Sequence, residues 1–171
     1  LSLVLARERT LFVADTAVTE LPTSIQLADF AIQSASVARR MGHEPRVALL
    51  SFSNFGNPML DRSQLIRDAV QLLDERQVSF EYDGEMGVDV ALNAELMKNY
   101  PFCRLTEPAN VLIMPGLHSS QIATNLLHEL GGGTVIGPML MGLSKPAQIV
   151  PMGATVSDMV NMAALAAHDA T

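Results

Sequence analysis

A loop of small polar residues follows the apolar run in RVALLSFSNFGNP, residues 46–58. Its hydroxyl, amide and glycine residues come directly after a predicted strand and shortly before a predicted helix. Backbone N–H groups and hydroxyls in such a loop can bind an anion, especially near a helix N-terminus. The loop is therefore predicted to form the floor of a binding site, which leaves open whether it is a reaction centre or a receptor.

A second polar cluster is the acidic run DGEMGVD, which contains Asp83, Glu85 and Asp89. Carboxylates placed between a strand and a helix could hold Mg²⁺. They could equally complement the N-terminus of the following helix, with Asp89 near its N-cap. We favour this structural interpretation.

Other candidate groups indicate structure rather than chemistry. The triple glycine 131–133 follows a helix and precedes a strand, which is the reverse of a nucleotide-binding loop, so it predicts a helix stop. Cys103 has no base beside it, and the four histidines lack the spacing of zinc ligands. The sequence therefore predicts neither a metal site nor a catalytic thiolate.

The composition argues against several classes of partner. With 18 acidic and 11 basic residues the net charge is −7, which disfavours nucleic acid because phosphate binding needs a positive surface. No apolar run approaches the roughly 18 residues of a membrane span. The single cysteine rules out an intrachain disulfide, so a reducing, cytoplasmic setting is expected. Because strand-like residues begin at Leu1, the chain is expected to be a piece of a longer polypeptide.

Short apolar runs alternate with stretches of helical periodicity along the chain. This pattern predicts an α/β fold, a layered sheet with helices on both faces. The predicted strands cover residues 11–14, 47–51, 80–82, 111–114, 134–136 and 148–150. The predicted helices begin near residues 23, 61, 89, 119 and 155 and end near residues 41, 76, 99, 130 and 168.

Six segments together resemble the phosphate acetyltransferase family, in the same order and over almost the whole chain. They are ADTAVTELPT (14–23), GHEPRVALLSFSNFG (42–56), DGEMGVDVAL (83–92), ANVLIMPGL (109–117), IGPMLMGLSKP (136–146) and GATVSDMVNMAALAA (153–167). Members transfer an acetyl group between coenzyme A and phosphate. The resemblance implies two α/β subdomains with a fold related to isocitrate and isopropylmalate dehydrogenases. Residues 1–171 would be the second subdomain plus the final helix.

Departures from the family pattern argue against transfer chemistry. Active members have a Ser-Arg-Gly triplet after the late Lys-Pro, whereas this chain has Pro151-Met152-Gly153. Proline has no hydroxyl and no N–H, and methionine cannot offer the charged donors that an oxyanion or phosphate requires. The carboxylate that acts as base toward the thiol in the family persists as Asp158. We interpret Pro151 and Met152 as lost catalytic positions and expect no catalytic residue.

These departures resemble one branch of the family, the C-terminal domain of bacterial NADP-dependent malic enzymes. In the same way, the polar loop reads Ser-Asn-Phe-Gly-Asn (53–57) where active members read Ser-Thr-x-Gly-Ser. The resemblance implies a non-catalytic domain that assembles a homo-oligomer and senses acetyl-CoA or a related thioester. Malate oxidation, with NADP and a divalent metal, would belong to a portion outside this chain. The predicted ligand contacts are Ser53, Asn54, Gly56, Gly153 and Asp158.

Two alternatives stay open at the level of the sequence. One is an active phosphate acetyltransferase whose missing donors come from a neighbouring subunit or from the other subdomain. The other is a purely structural domain without a ligand. In that case the five predicted contacts are turn and cap residues, and Asp158 simply lies near the start of the last helix.

Overall fold

The computed structural model describes residues 1–6, 9–131, 133–150 and 152–169. Within these ranges the strands are β1 (Ser2–Ala6), β2 (Arg9–Ala14), β3 (Arg46–Leu50), β4 (Glu81–Met86), β5 (Val111–Ile113) and β6 (Thr134–Ile136). The six strands form one mixed sheet in the spatial order β4-β3-β5-β2-β1-β6. Strands β2, β5, β3 and β4 are parallel neighbours, whereas β1 pairs antiparallel with both β2 and β6.

The central strands are buried on both faces, and alternate residues supply two separate cores. In β3, Val47 and Leu49 belong to one hydrophobic cluster while Ala48 and Leu50 belong to the other. Successive side chains of a strand point to opposite faces of the sheet. A strand covered on both sides therefore has no polar alternation, which explains the continuous apolar runs of β3 and β5.

Helices cover both faces of this sheet, as the sequence predicted. The helices are α1 (Ser24–Arg40), α2 (Asp61–Glu75), α3 (Val88–Leu92), α4 (Ala94–Met97), α5 (Leu117–Leu130) and α6 (Val156–Asp169). Residues of α1, α2 and α6 pack in one cluster, and residues of α3, α4 and α5 pack in the other. None of the helices in the described ranges is long and apolar enough to cross a membrane.

Several predicted elements differ from the structure. The predicted strand 148–150 is wrong: this segment is irregular, and the Gln148 side chain instead holds the backbone N–H and carbonyl of Leu140. The predicted helix 89–99 is interrupted at Asn93, because the Asn93 side chain accepts from the N–H of Glu95 and begins a new helix. Helix α5 begins at Leu117 instead of residue 119.

Strand β4 is longer than predicted and includes DGEM. Leu49 pairs with Gly84 and Leu50 pairs with Met86, so the register passes over Glu85. Such a bulge turns a side chain out of the regular ladder and is common beside functional sites. Asp83 and Glu85 are thus part of the sheet rather than of a loop before a helix, whereas Asp89 lies in α3.

Candidate functional site

The polar loop after β3 lies at the carboxyl end of the parallel strands, where α/β sheets commonly bind ligands. Its backbone is anchored to the neighbouring strand: the N–H of Ser51 donates to the carbonyl of Met86 at 2.9 Å, and that of Phe55 donates to the carbonyl of Glu85 at 2.8 Å. The loop then leads into α2 at Asp61. Its conformation is therefore set by β4 as much as by its own residues.

The carboxylate of Glu85 is the centre of this loop. The Ser53 hydroxyl donates to its Oε1 at 2.8 Å, and the backbone N–H of Gly56 donates to the same oxygen at 3.0 Å. Arg67 of α2 donates to its Oε2 at 2.8 Å. The Glu85 side chain is 0% exposed. A buried charge needs a partner and hydrogen bonds to persist, and Glu85 has both.

Serine hydroxyls extend this network beneath the loop. Ser53 lies 2.6 Å from the hydroxyl of Ser63 and 3.0 Å from that of Ser51. Ser53 and Ser63 are both buried, at 1% and 0% exposure. The hydroxyl of Ser53 therefore already has protein partners, so it serves the loop itself before it can serve a ligand.

Aromatic rings hold the outer side of the loop. Phe55 has a positive φ of 49°, which is unusual for a residue with a side chain. Its ring packs against Tyr100 at 5.2 Å and Phe102 at 5.0 Å between centroids. Gly56, with a φ of 88°, completes the turn. The backbone conformation is thus sustained by Glu85 on one side and by ring packing on the other.

The three acidic residues of DGEMGVD do not converge. Asp83 accepts from the backbone N–H groups of Gly84 and Arg104, Glu85 faces the loop, and Asp89 is exposed in the first turn of α3. Across the described ranges, no group of three His, Cys, Asp or Glu residues is arranged to hold a metal ion. Asp89 lies in the first turn of α3, as predicted, but the N-cap is Gly87 and no side-chain hydrogen bond caps this helix. For Asp83 and Glu85 the predicted capping role is wrong, because both lie in a strand.

Asp158 lies at the start of α6 and closes a reciprocal cap with Thr155. Its carboxylate accepts from the N–H and the hydroxyl of Thr155 at 2.8 and 2.7 Å, and its own N–H donates back to Thr155 Oγ1 at 3.2 Å. The hydrogen bond from the Thr155 side chain lowers the pKa of Asp158, and the bond from the Thr155 backbone acts in the same direction. A carboxylate with a lowered pKa is a weaker general base toward a thiol.

Asp158 also lines a cavity of about 310 Å³ next to β6 and α5. Six hydroxyl and amide residues and six apolar or glycine residues line this cavity, together with the ionisable residues His128 and Asp158. Its polar lining consists of Ser2, Thr16, Gln121, Thr124, Asn125, His128, Asp158 and Asn161. Groups of this kind suit a ligand rich in hydrogen-bonding groups.

The five predicted ligand contacts form two separate groups. Ser53 and Gly56 donate to Glu85, and Asn54 Oδ1 accepts from the backbone N–H of Gly87 at 2.7 Å. The cavity at Asp158 is lined by none of these three. Gly153 is exposed in the turn before α6. Of the two predicted lost catalytic positions, Met152 is fully exposed and Pro151 lies outside the described residues.

Sequence reasoning missed the polar lining of the cavity beside Asp158 and three residues that hold Glu85 and Asp158. Ser63 and Arg67 lie on α2, and Thr155 caps α6. The spacing Thr155-x-x-Asp158 is a capping signature that could have identified the cap. No local pattern marks Arg67 as the partner of Glu85, because the two are 18 residues apart and meet only in the tertiary structure.

Cys103 does not have the character of a catalytic thiol. Burial raises its pKa, which disfavours the nucleophilic thiolate. The sequence likewise predicted no catalytic thiolate at Cys103, and a raised pKa is consistent with that prediction.

Comparison with known proteins places these features in a family. A model of the phosphate acetyl/butaryl transferase family matches residues 1–167. The NADP-dependent malic enzyme of Rhizobium meliloti is 57% identical over 169 residues, which cover 99% of this chain and 22% of that protein. The phosphate acetyltransferase of Bacillus subtilis is 34% identical over 158 residues, which cover 92% of this chain and 49% of that protein.

Solved structures agree with the sequence matches. A phosphotransacetylase from Streptococcus pyogenes has a TM-score of 0.93 at 28% identity, over 99% of this chain and 53% of that chain. The chain thus spans about a fifth of the malic enzymes that it matches and about half of the transferases. On the match over residues 1–167, the chain belongs to the phosphate acetyl/butaryl transferase family.

Proposed function

We propose that the chain is a non-catalytic regulatory and oligomerising domain of an NADP-dependent malic enzyme, and that it senses acetyl-CoA or a related thioester. The observation that carries this proposal is the state of the Asp158 site. Asp158, which resembles the family's base, caps α6 with a lowered pKa, while Met152 stands fully exposed where the family has its arginine.

The expected rate loss is large. Removal of one preorganised donor to a developing oxyanion typically costs about 10²–10³ in rate. Here two such groups are replaced, by Pro151 and Met152. The cavity beside Asp158 keeps hydrogen-bonding groups that could still hold the amide-rich arm of a thioester. Binding without turnover is the combination that these residues support.

Regulation would require different affinities in two states of the assembly. A ligand that binds both states equally shifts no equilibrium, however tightly it binds. Malate oxidation, with NADP and a divalent metal, would be performed by the remainder of such an enzyme. A cytoplasmic location, expected from the single cysteine, stays a proposal, as does the relation of the fold to isocitrate and isopropylmalate dehydrogenases, which the resemblance implies.

Calorimetry and an acetyl-transfer assay on the complete protein test this proposal together. We expect saturable binding of acetyl-CoA and no acetyl phosphate formation above background. Asp158→Ala should weaken binding about tenfold, the typical effect of one lost hydrogen bond with a polar partner. Glu95→Ala, a substitution of a 77% exposed side chain, is the matched control and should leave binding unchanged.

Two outcomes would contradict the proposal. Silence in calorimetry at millimolar acetyl-CoA would defeat the sensor and favour the purely structural alternative. Acetyl phosphate formation that Asp158→Asn abolishes would instead establish an active phosphate acetyltransferase. This alternative is the activity for which the Bacillus subtilis relative is named.

Exposed apolar residues on α5 and α6 support the oligomerising role. On α5, Ile122, Leu126 and Leu130 are 61%, 53% and 80% exposed and recur every four residues, so they share one face of the helix. On α6, Val156 and Val160 are similarly exposed, at 78% and 61%. Exposed apolar residues that share one face of a helix commonly mark a protein interface. We propose that a second copy of the chain covers it.

A charge placed in this surface should prevent assembly. We expect Leu126→Glu to shift the complete protein to a smaller species in analytical ultracentrifugation, because an unpaired carboxylate would be buried at the contact. Gln71→Glu, on the other side of the sheet, is the control and should not alter the sedimentation profile. An unchanged profile for Leu126→Glu would show that this surface does not hold the assembly together.

A further inference from the structure

The loop after β3 has the hydrogen-bond donors of an anion site, but those donors already bind the carboxylate of Glu85. The Ser53 hydroxyl and the Gly56 N–H both donate to Oε1 of Glu85, and Arg67 donates to Oε2. All three groups are donors and a carboxylate is an acceptor, so the arrangement satisfies both sides. An external phosphate or carboxylate would have to displace a side chain that is 0% exposed.

We propose that Glu85 is a built-in anion that occupies the donor cradle of residues 53–56 and keeps external anions out of it. The loop therefore offers a ligand only its outward-facing groups. The bulge in β4 is the structural cause, because it leaves Glu85 out of the ladder and directs its side chain to the loop.

The position of Arg67 supports this specificity role. Its Nη1 pairs with Glu85 and its Nη2 donates to Gln64 at 2.7 Å, so both ends of the guanidinium are held. The charge of Arg67 is thereby balanced by Glu85, so Arg67 attracts a ligand phosphate less strongly than an unpaired guanidinium would. The anion-binding groups near the loop are thus neutralised from within the protein. Asn54 Oδ1 accepts from the backbone N–H of Gly87 at 2.7 Å, which leaves the NH₂ end of this amide to serve a ligand.

The occupation of the cradle by Glu85 does not depend on the proposed function. Glu85 fills the cradle whether or not acetyl-CoA binds, so a failure of acetyl-CoA binding would not contradict it. Conversely, an empty or rearranged cradle would not affect binding at the separate cavity beside Asp158.

Rescue of Glu85→Ala by acetate tests the built-in anion. This substitution removes a CH₂–COO⁻ group, of which free acetate is the equivalent. We expect the melting temperature of the complete protein to fall by roughly 5–15 °C. Sodium acetate should then raise it by mass action, whereas sodium chloride at equal ionic strength should not. Acetate should have no such effect on the parent protein or on Glu95→Ala.

The variant Glu85→Gln covers the case in which Glu85→Ala does not fold. It keeps the shape of the side chain and removes the charge that pairs with Arg67. We expect hydrogen exchange of peptides from residues 51–57 to accelerate about tenfold or more, because a charge-assisted hydrogen bond is lost. Exchange in α5 should stay unchanged. Unchanged exchange in the loop would overturn the inference. So would an acetate response of Glu85→Ala that is no larger than that of Glu95→Ala.

Discussion

Replacement of Gly84 with alanine is expected to lower the free energy of unfolding by about 3 kcal/mol. A Cβ atom at this position would lie 2.7 Å from the carbonyl oxygen of Leu49 and 2.9 Å from its Cβ. Leu49 is fully buried in the central strand β3, so it has no room to move away. Strands β3 and β4 would have to separate at the residue that precedes Glu85, and the loop network should loosen with them.

Urea denaturation of the variant and of Gly153→Ala measures this effect. Gly153 is the matched control, because a Cβ atom there would meet nothing within 4 Å. We expect its free energy of unfolding to change by no more than about 0.5 kcal/mol. Equal destabilisation by the two substitutions would mean that the approach of Gly84 to Leu49 does not limit the packing of β4.

Truncation of Phe12 to alanine is expected to cost about 3–5 kcal/mol. The side chain is 0% exposed in the middle of β2 and is among the largest fully buried side chains. It belongs to the core beneath α1 and α2, and its ring packs edge-on against His43 at 5.5 Å between centroids. Its removal would leave a cavity that the surrounding aliphatic side chains can only partly fill.

Phe52→Ala is the control, because it makes the same chemical change at an exposed position. Phe52 is 68% exposed, so Phe52→Ala should change the free energy of unfolding by no more than about 0.5 kcal/mol. Phe12→Leu should lose much less than Phe12→Ala because it keeps most of the volume. A cost for Phe12→Ala below 1.5 kcal/mol would indicate that the core collapses around the deletion.

Apolar periodicity identified the elements that bury their own residues. The stripe of α1, the apolar face of α2, and the runs of β2, β3 and β5 all appear in the structure near the predicted positions. Burial is a property of each segment that hydrophobic side chains report directly. The wrong strand at 148–150 shows the limit of this signal, because two apolar residues there, Ile149 and Val150, remain partly or largely exposed.

The sequence by itself determined the family and the two-sided sheet, because motifs and apolar patterns are local. Only the tertiary structure decided the state of the polar loop. Glu85 was assigned to a helix cap, yet it is buried against Ser53 and Arg67, which lie 32 and 18 residues away. A buried charge is stable only where distant parts of the chain supply its partners, and no local pattern encodes that meeting.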